Sequence, residues 1–264
     1  MDEPVVSGAR ETVRSSDGVA IGTVTAGAGP PLLLVHGGMR SAAGWAPLWP
    51  LLVDRYRVTA MDRRGRGMSG DAPTYAFDQE YEDVAAVARH LGPVDVVAHS
   101  IGAVFALGAA VRGAPIRRLV LCEPPGPPTI SDAWIERASA RMAAGETGRA
   151  LVEFLVEIIG LDQATMVAMR GTPVAENALD IFTATFRREG ELLRALDLAD
   201  LTRGGTAPVR FLLGDRSPVW AATVTHTLAA ALPDSTVTLV AGHGHDFVDS
   251  APDAVLTALE PVVQ

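Results

Sequence analysis

Four short, almost uninterrupted apolar runs, at residues 31–35, 57–61, 94–98 and 117–122, constrain the fold of this chain more than any other feature. A strand with one solvated face alternates apolar and polar side chains, whereas a run that is apolar throughout must be covered on both faces. That is the habit of a parallel sheet with helices packed on either side. Each run is followed by a glycine- or proline-containing turn and, in three of the four, by helical spacing. An N-terminal hairpin precedes them, with residues 11–14 and 19–25 flanking the turn signal Ser16-Asp17-Gly18. The rhythm breaks between residues 128 and 205. Residues 131–144, 147–159, 173–188 and 189–198 carry helical spacing there, with Gly145, Gly160 and Gly171 as helix stops and no strand signal. Strand-like runs return at residues 209–214 and 236–241, separated by a helix over residues 220–232. The expected organisation is an α/β core of residues 1–127 and 206–264, interrupted by an all-helical insertion at 128–205.

Charge narrows the partners. The formal net charge is −9, and all 22 cationic residues are arginine. The absence of lysine removes Schiff-base chemistry, and an acidic surface repels both nucleic acid and anionic membrane, so a small molecule is the expected partner. The single cysteine, Cys122, excludes an internal disulfide and reads as a buried strand residue. The first residues hold no basic stretch ahead of an apolar run, and no apolar segment is long enough to span a bilayer, so a cytoplasmic location is expected. Zinc-type ligand spacing and a strand-linked G-x-G-x-x-G are both missing, so neither metal nor cofactor is expected.

The chemistry concentrates at Val94-Asp95-Val96-Val97-Ala98-His99-Ser100-Ile101-Gly102-Ala103, a strand running straight into a small-residue turn and then a helix. A serine at such a corner is held on a tight turn with its hydroxyl exposed, and the amide after it points where an oxyanion would form. The usual pattern is G-x-S-x-G; Ala98 replaces the first glycine with the smallest available side chain. In isolation such a serine is more often a helix cap than a nucleophile. Context reverses that reading, because Leu32-Leu33-Leu34-Val35-His36-Gly37-Gly38-Met39 supplies a strand ending in a glycine pair. The oxyanion donors are assigned to the amides of Gly38 and Ile101, with Met39 as the alternative to Gly38. Late in the chain, Gly242-His243-Gly244-His245 puts two histidines in a loop between a strand and the last helix, and a weak serine nucleophile needs such an imidazole to take its proton. His36, His90, His99 and His226 read as structural.

Taken in order, the strand-H-G-G, the loop Asp62-Arg63-Arg64-Gly65-Arg66-Gly67-Met68-Ser69, the A-H-S-I-G elbow and the late G-H-G-H loop resemble the α/β-hydrolase superfamily over nearly the whole chain outside the helical insertion. The resemblance implies an α/β-hydrolase fold, a mostly parallel sheet flanked by helices, with the insertion as a cap over the active site. It makes His245 the catalytic histidine and the arginine-rich loop an architectural element that supports its neighbours. The triad acid departs from the commonest family pattern. Gly214-Asp215-Arg216-Ser217-Pro218 has serine where many relatives carry the acid, leaving Asp215 two residues early. A second family arrangement puts the acid after the strand that follows the nucleophile helix, which here is Glu123. Glu123 is the preferred acid and Asp215 the alternative. A serine elbow, rather than the aspartate of epoxide- and halide-processing relatives, implies acyl transfer on an ester, thioester or lactone. The rivals are a lyase, cyclase or perhydrolase using the same serine and histidine, and a non-catalytic ligand-binding member of the fold. Apolar insertion residues such as Trp134, Phe154, Leu155, Met169 and Phe186 are expected mostly to pack the helices together, with the remainder lining an apolar pocket.

Overall fold

A computed structural model describes residues 5–204 and 207–260 of the chain. Its strands are β1 (Ala9–Arg14), β2 (Ala20–Ala26), β3 (Pro31–Val35), β4 (Arg57–Met61), β5 (Val94–His99), β6 (Ile116–Cys122), β7 (Val209–Gly214) and β8 (Ser235–Val240). They form one sheet in the order β1-β2-β4-β3-β5-β6-β7-β8. The β1–β2 hairpin turns through Gly18 at φ 87° and pairs antiparallel, as does β2 with β4. Every later pairing is parallel.

Alternation along the buried strands divides the core in two. Leu33, Val35, Val96, Ala98, Leu119 and Leu121 face one side, and Leu32, Leu34, Val97, Val120 and Cys122 the other. Helices α1 (Trp49–Val53), α2 (Phe77–Leu91) and α3 (Ile101–Val111) follow β3, β4 and β5. The first side is covered by α2 and α3, through residues such as Tyr81, Val84, Phe105 and Leu107. The other side is closed by Trp45, Leu48 and Trp49 together with Phe247 and Leu259 from the end of the chain. Each fully buried leucine of this kind contributes roughly 1.5–3 kcal/mol from removal of apolar surface from water.

Between β6 and β7 the described residues contain helices and no strand: α4 (Asp132–Ala143), α5 (Thr147–Glu153), α6 (Gln163–Met169) and α7 (Pro173–Arg194). Two sequence expectations need correction. The break expected at residue 188 does not occur, because α7 continues for 22 residues from its Thr172 cap, with Phe182, Phe186 and Leu193 buried on one face and Arg187 paired to Glu191 at 2.8 Å. Helix α6 had no counterpart in the sequence reading; it starts at Asp162, whose carboxylate accepts the Thr165 amide at 2.7 Å. The segment after α5 widens into a π-helical turn over Phe154–Ile158, a feature that recurs where helices line functional sites. After β7 come α8 (Val219–Ala231), α9 (Phe247–Ser250) and α10 (Pro252–Leu259). No helix among the described residues is long and apolar enough to cross a membrane.

The register positions the site. Val35 pairs with Ala98, and Ala98 with Leu121, so the residues that follow β3, β5 and β6 leave the sheet at one edge, beside each other. The chain after β3 reverses the direction of strand addition, with β4 on one flank and β5 on the other. The crevice at such a reversal is where open α/β sheets bind ligands.

Candidate active site

Ser100 joins β5 to α3 with φ 54° and ψ −132°, a left-handed conformation that a residue with a side chain adopts only under constraint from its surroundings. Two features hold it. Its amide donates to Cys122 O at 2.8 Å, extending the β5–β6 ladder past its last strand residue. Gly102 lets α3 sit directly on the end of β3, since a methyl group there would stand 2.4 Å from His36 O. The same logic explains the other close approach: a methyl on Gly37 would lie 3.1 Å from Ser100 Cβ and 3.2 Å from His99 Nδ1. Ala98 is fully buried and is accommodated in place of the usual glycine.

Glu123 occupies the equivalent exit from β6, also in a left-handed conformation at φ 50°, and it is fully buried. Its Oε2 meets His245 Nδ1 at 2.5 Å. Its Oε1 accepts the Gly214 amide at 2.7 Å and the Ser217 hydroxyl at 2.5 Å. Ser217 is the residue at the position where the commoner pattern carries the acid, so serine here supports a carboxylate that reaches in from the neighbouring strand. Asp215 does not approach the imidazole: its Oδ1 accepts the Gly242 amide at 2.7 Å and so anchors the start of the histidine loop. The two-residue offset turns it away, and of the two candidate acids it is Glu123 whose carboxylate meets His245.

His245 is 4% exposed, packed between Trp220 and His99, with ring centroids 5.1 Å and 4.7 Å away. His99 Nε2 bonds His245 O at 3.0 Å, a contact the sequence reading left unspecified. Burial, then the neighbouring His245 and Arg40, holds the His99 imidazole well below the usual histidine range, so it is neutral. His36 is likewise kept neutral by burial and by Arg63. Its Nε2 accepts the Arg63 amide at 3.0 Å, leaving Nδ1–H to donate to Gly37 O at 2.8 Å. His90 lies on the surface near Glu11. His243, the other histidine of the loop, meets Ser250 Oγ at 3.0 Å away from this cluster. Cys122 is buried and its thiol is pushed upward by burial and by Glu123, consistent with a strand residue.

The arginine-rich loop after β4 braces the site from behind. Arg63 and Arg64 are fully buried. Arg64 forks onto Asp83 of α2, at 2.6 Å and 2.8 Å. Arg63 forks onto Glu80 of α2 at 3.1 Å and 2.6 Å, donates to Gly37 O at 3.3 Å, and reaches Glu189 of α7 at 2.5 Å. Arg66 binds Glu189 and Thr185. One cluster therefore ties the glycine loop, α2 and the helical insertion together. The sequence reading made these arginines supports; their partner Glu189 was missed. A signal existed, because Glu189 falls on the same helical stripe as Phe182, Phe186 and Leu193, a core-facing position where a carboxylate needs a reason.

Ser100, His245, Gly38, Met39 and Ile101 all line a single cavity of about 350 Å³. The amides of Gly38, Met39 and Ile101 make no hydrogen bond among the described residues. Much of the remaining wall is apolar and comes from the insertion, including Phe154, Leu155, Leu161, Met169 and Phe186. Chemically, the arrangement offers a hydroxyl, an imidazole whose Nδ1 is held by a carboxylate, leaving Nε2 to face the cavity, and unpaired amides at the start of α3 and in the glycine loop after β3. Among the described residues no group of three metal-ligating side chains gathers anywhere.

Comparison with known proteins agrees with this geometry. A model of the alpha/beta hydrolase family matches residues 32–258. The 2-(acetamidomethylene)succinate hydrolase of Mesorhizobium japonicum is 28% identical over 245 residues, covering 88% of this chain and 87% of that protein. The N-formylmaleamate deformylase of Pseudomonas putida is 38% identical over a shorter stretch of 104 residues, 38% of this chain and 39% of its own. Among solved structures, an alpha/beta hydrolase from Sphaerobacter thermophilus superposes with a TM-score of 0.80 at 31% identity, covering 94% of this chain and 99% of its own. With its sheet, its strand-to-helix serine and a family match spanning most of its length, this chain belongs to the alpha/beta hydrolase family.

Proposed function

We propose that the protein is a cofactor-independent serine hydrolase acting on a carboxylic ester, thioester or lactone of a small, largely apolar molecule, with the helices between β6 and β7 as its cap. The observation that carries the reading is the convergence of a conformationally constrained Ser100 and a Glu123-held His245 on one apolar cavity. Ser100 Oγ attacks the carbonyl carbon while His245 Nε2 takes its proton. The resulting oxyanion is held by the Gly38 and Ile101 amides, and Glu123 stabilises the imidazolium. Collapse expels the alcohol or thiol, which leaves with the proton from His245. Water, deprotonated by the same imidazole, then releases the acid and restores the serine.

The test is intact-protein mass spectrometry after incubation with a fluorophosphonate. One adduct is expected on the wild type and none on Ser100→Ala or His245→Ala. An unmodified, folded wild type would leave the fold as a binding scaffold or a site for other chemistry.

Charge in the cavity separates this substrate class from those named for the relatives. Among the described residues Arg40 is the one arginine in the wall, and it is already paired with Asp249, while Asp246, Asp249 and Glu189 also line the space. A substrate bearing a second carboxylate would meet like charge without a free cation to receive it, which typically costs more than a kilocalorie. A succinate half-ester is therefore expected to show kcat/KM about tenfold or more below that of a neutral ester of equal length. Equal or faster turnover of the half-ester would move the substrate class toward that of the succinate hydrolase.

A further inference from the structure

Glu189 carries more than its bracing role. It reaches the cavity from α7, is 5% exposed, and divides its two oxygens between different tasks. Oε1 takes the bonds from Arg63 and Arg66, with the Tyr75 hydroxyl at 3.4 Å. Oε2 makes no hydrogen bond among the described residues, and a methyl placed on Gly38 would stand 3.6 Å from it. Burial alone would push this carboxyl upward, but Arg63 and Arg66 overcome that and hold it below the usual carboxylate range. It is thus an ionised acceptor with one open oxygen, beside the glycine loop that faces Ser100. That oxygen is open to the cavity, and a ligand that covered it without offering a donor would incur the cost of a buried, unsatisfied carboxylate.

We infer that Glu189 is a specificity-determining residue whose Oε2 receives a hydroxyl or amide N–H carried by the acyl part of the substrate, on the first or second carbon from the scissile carbonyl. The inference rests on the serine-hydrolase reading and refines its substrate class: the acyl chain is apolar except for one neutral donor close to the reacting carbon. A neutral donor suits the site better than a second anion, because the open oxygen is itself negative. It also suits it better than a wholly aliphatic chain, which would bury that oxygen dry. The donor's bond is charge-assisted, and such bonds are worth about ten- to a hundredfold in discrimination.

The experiment compares para-nitrophenyl butanoate with its α-hydroxy and β-hydroxy analogues in the wild type and in Glu189→Gln. Glutamine keeps the size and leaves one carbonyl oxygen for the arginines, which turns an NH2 toward the cavity in place of the acceptor. The wild type is expected to favour one hydroxylated ester by about tenfold or more in kcat/KM, and Glu189→Gln to lose that preference, whatever its absolute rate on the plain ester. A uniform loss on all three esters would mean that Glu189 only braces the loop, and an equal preference in both proteins would also overturn the inference. Binding of butanamide and its hydroxylated analogues to Ser100→Ala, with and without Glu189→Gln, is measured by calorimetry in parallel. The same preference and the same loss are expected there, and indifference to the hydroxyl would refute the assignment without any turnover. Failure of all esters to react, with the binding preference intact, would count against the hydrolase reading alone.

Discussion

Glu123→Gln lowers kcat for ester hydrolysis by about ten-thousandfold, whereas Asp215→Asn changes it by less than about threefold. The difference follows from what surrounds the two carboxylates. Oε1 of Glu123 accepts from the Gly214 amide and the Ser217 hydroxyl. Of these the amide is an obligate donor, so a glutamine must present its carbonyl oxygen there and its NH2 to His245 Nδ1. An NH2 facing Nδ1 makes that nitrogen an acceptor and moves the ring proton to Nε2, where the base must be bare. The fold is preserved and the tautomer is wrong, which is why an isosteric change is expected to cost so much. Asp215 holds the Gly242 amide instead, and asparagine keeps an oxygen for that bond. Steady-state rates on a neutral ester, with circular dichroism to verify folding, measure both variants. The opposite ranking would return the acid to the end of β7.

The contrast shows what could and could not be read from the residues. The parallel sheet was legible because residues 94–98 and their three counterparts have no polar face, and the elbow because a small-residue turn links such a strand to a helix. His245 and Glu123 came from the family resemblance, since neither spacing nor composition says that the ends of β5, β6, β7 and β8 will adjoin. The sheet register creates that meeting: Ala98 beside Leu121, and Cys122 beside Leu212, put Glu123 within reach of the Gly214 amide. Helix limits in the insertion were less legible. The sequence divides into helical segments at residues 173–188 and 189–198, and at that division Arg188-Glu189-Gly190 puts charge and a glycine into the apolar stripe. In the fold Arg188 pairs with Asp71, Glu189 with Arg63 and Arg66, and Gly190 packs near Ile135, so the charges in the interruption find their partners across a tertiary contact. Local pattern cannot register a partner that lies more than a hundred residues away.

Arg63→Met is expected to destabilise the protein by about 3–5 kcal/mol, the range for removing one member of a buried, hydrogen-bonded ion cluster. The Arg63 guanidinium is fully buried, lies 4.5 Å from the centre of the Phe105 ring, and binds Glu80, Glu189 and Gly37 O together. Methionine fills much of the volume but satisfies none of these acceptors. Glu189 keeps Arg66 and Glu80 keeps the Tyr75 hydroxyl at 2.8 Å, so each retains one partner and the cost stops short of two fully abandoned charges. The penalty should therefore come chiefly from Glu80, whose two oxygens both bond Arg63. Adding Glu80→Gln to Arg63→Met removes the stranded charge and is expected to restore roughly half of the loss, because a buried ion pair contributes little beyond the cost of breaking it. Urea denaturation of the two variants and the wild type, at a pH where carboxylates are ionised, reads both numbers from the midpoints. A loss below about 1 kcal/mol in Arg63→Met would mean that the glycine loop and α7 are held by packing alone, since surface-like tolerance is the signature of a charge that water can still reach.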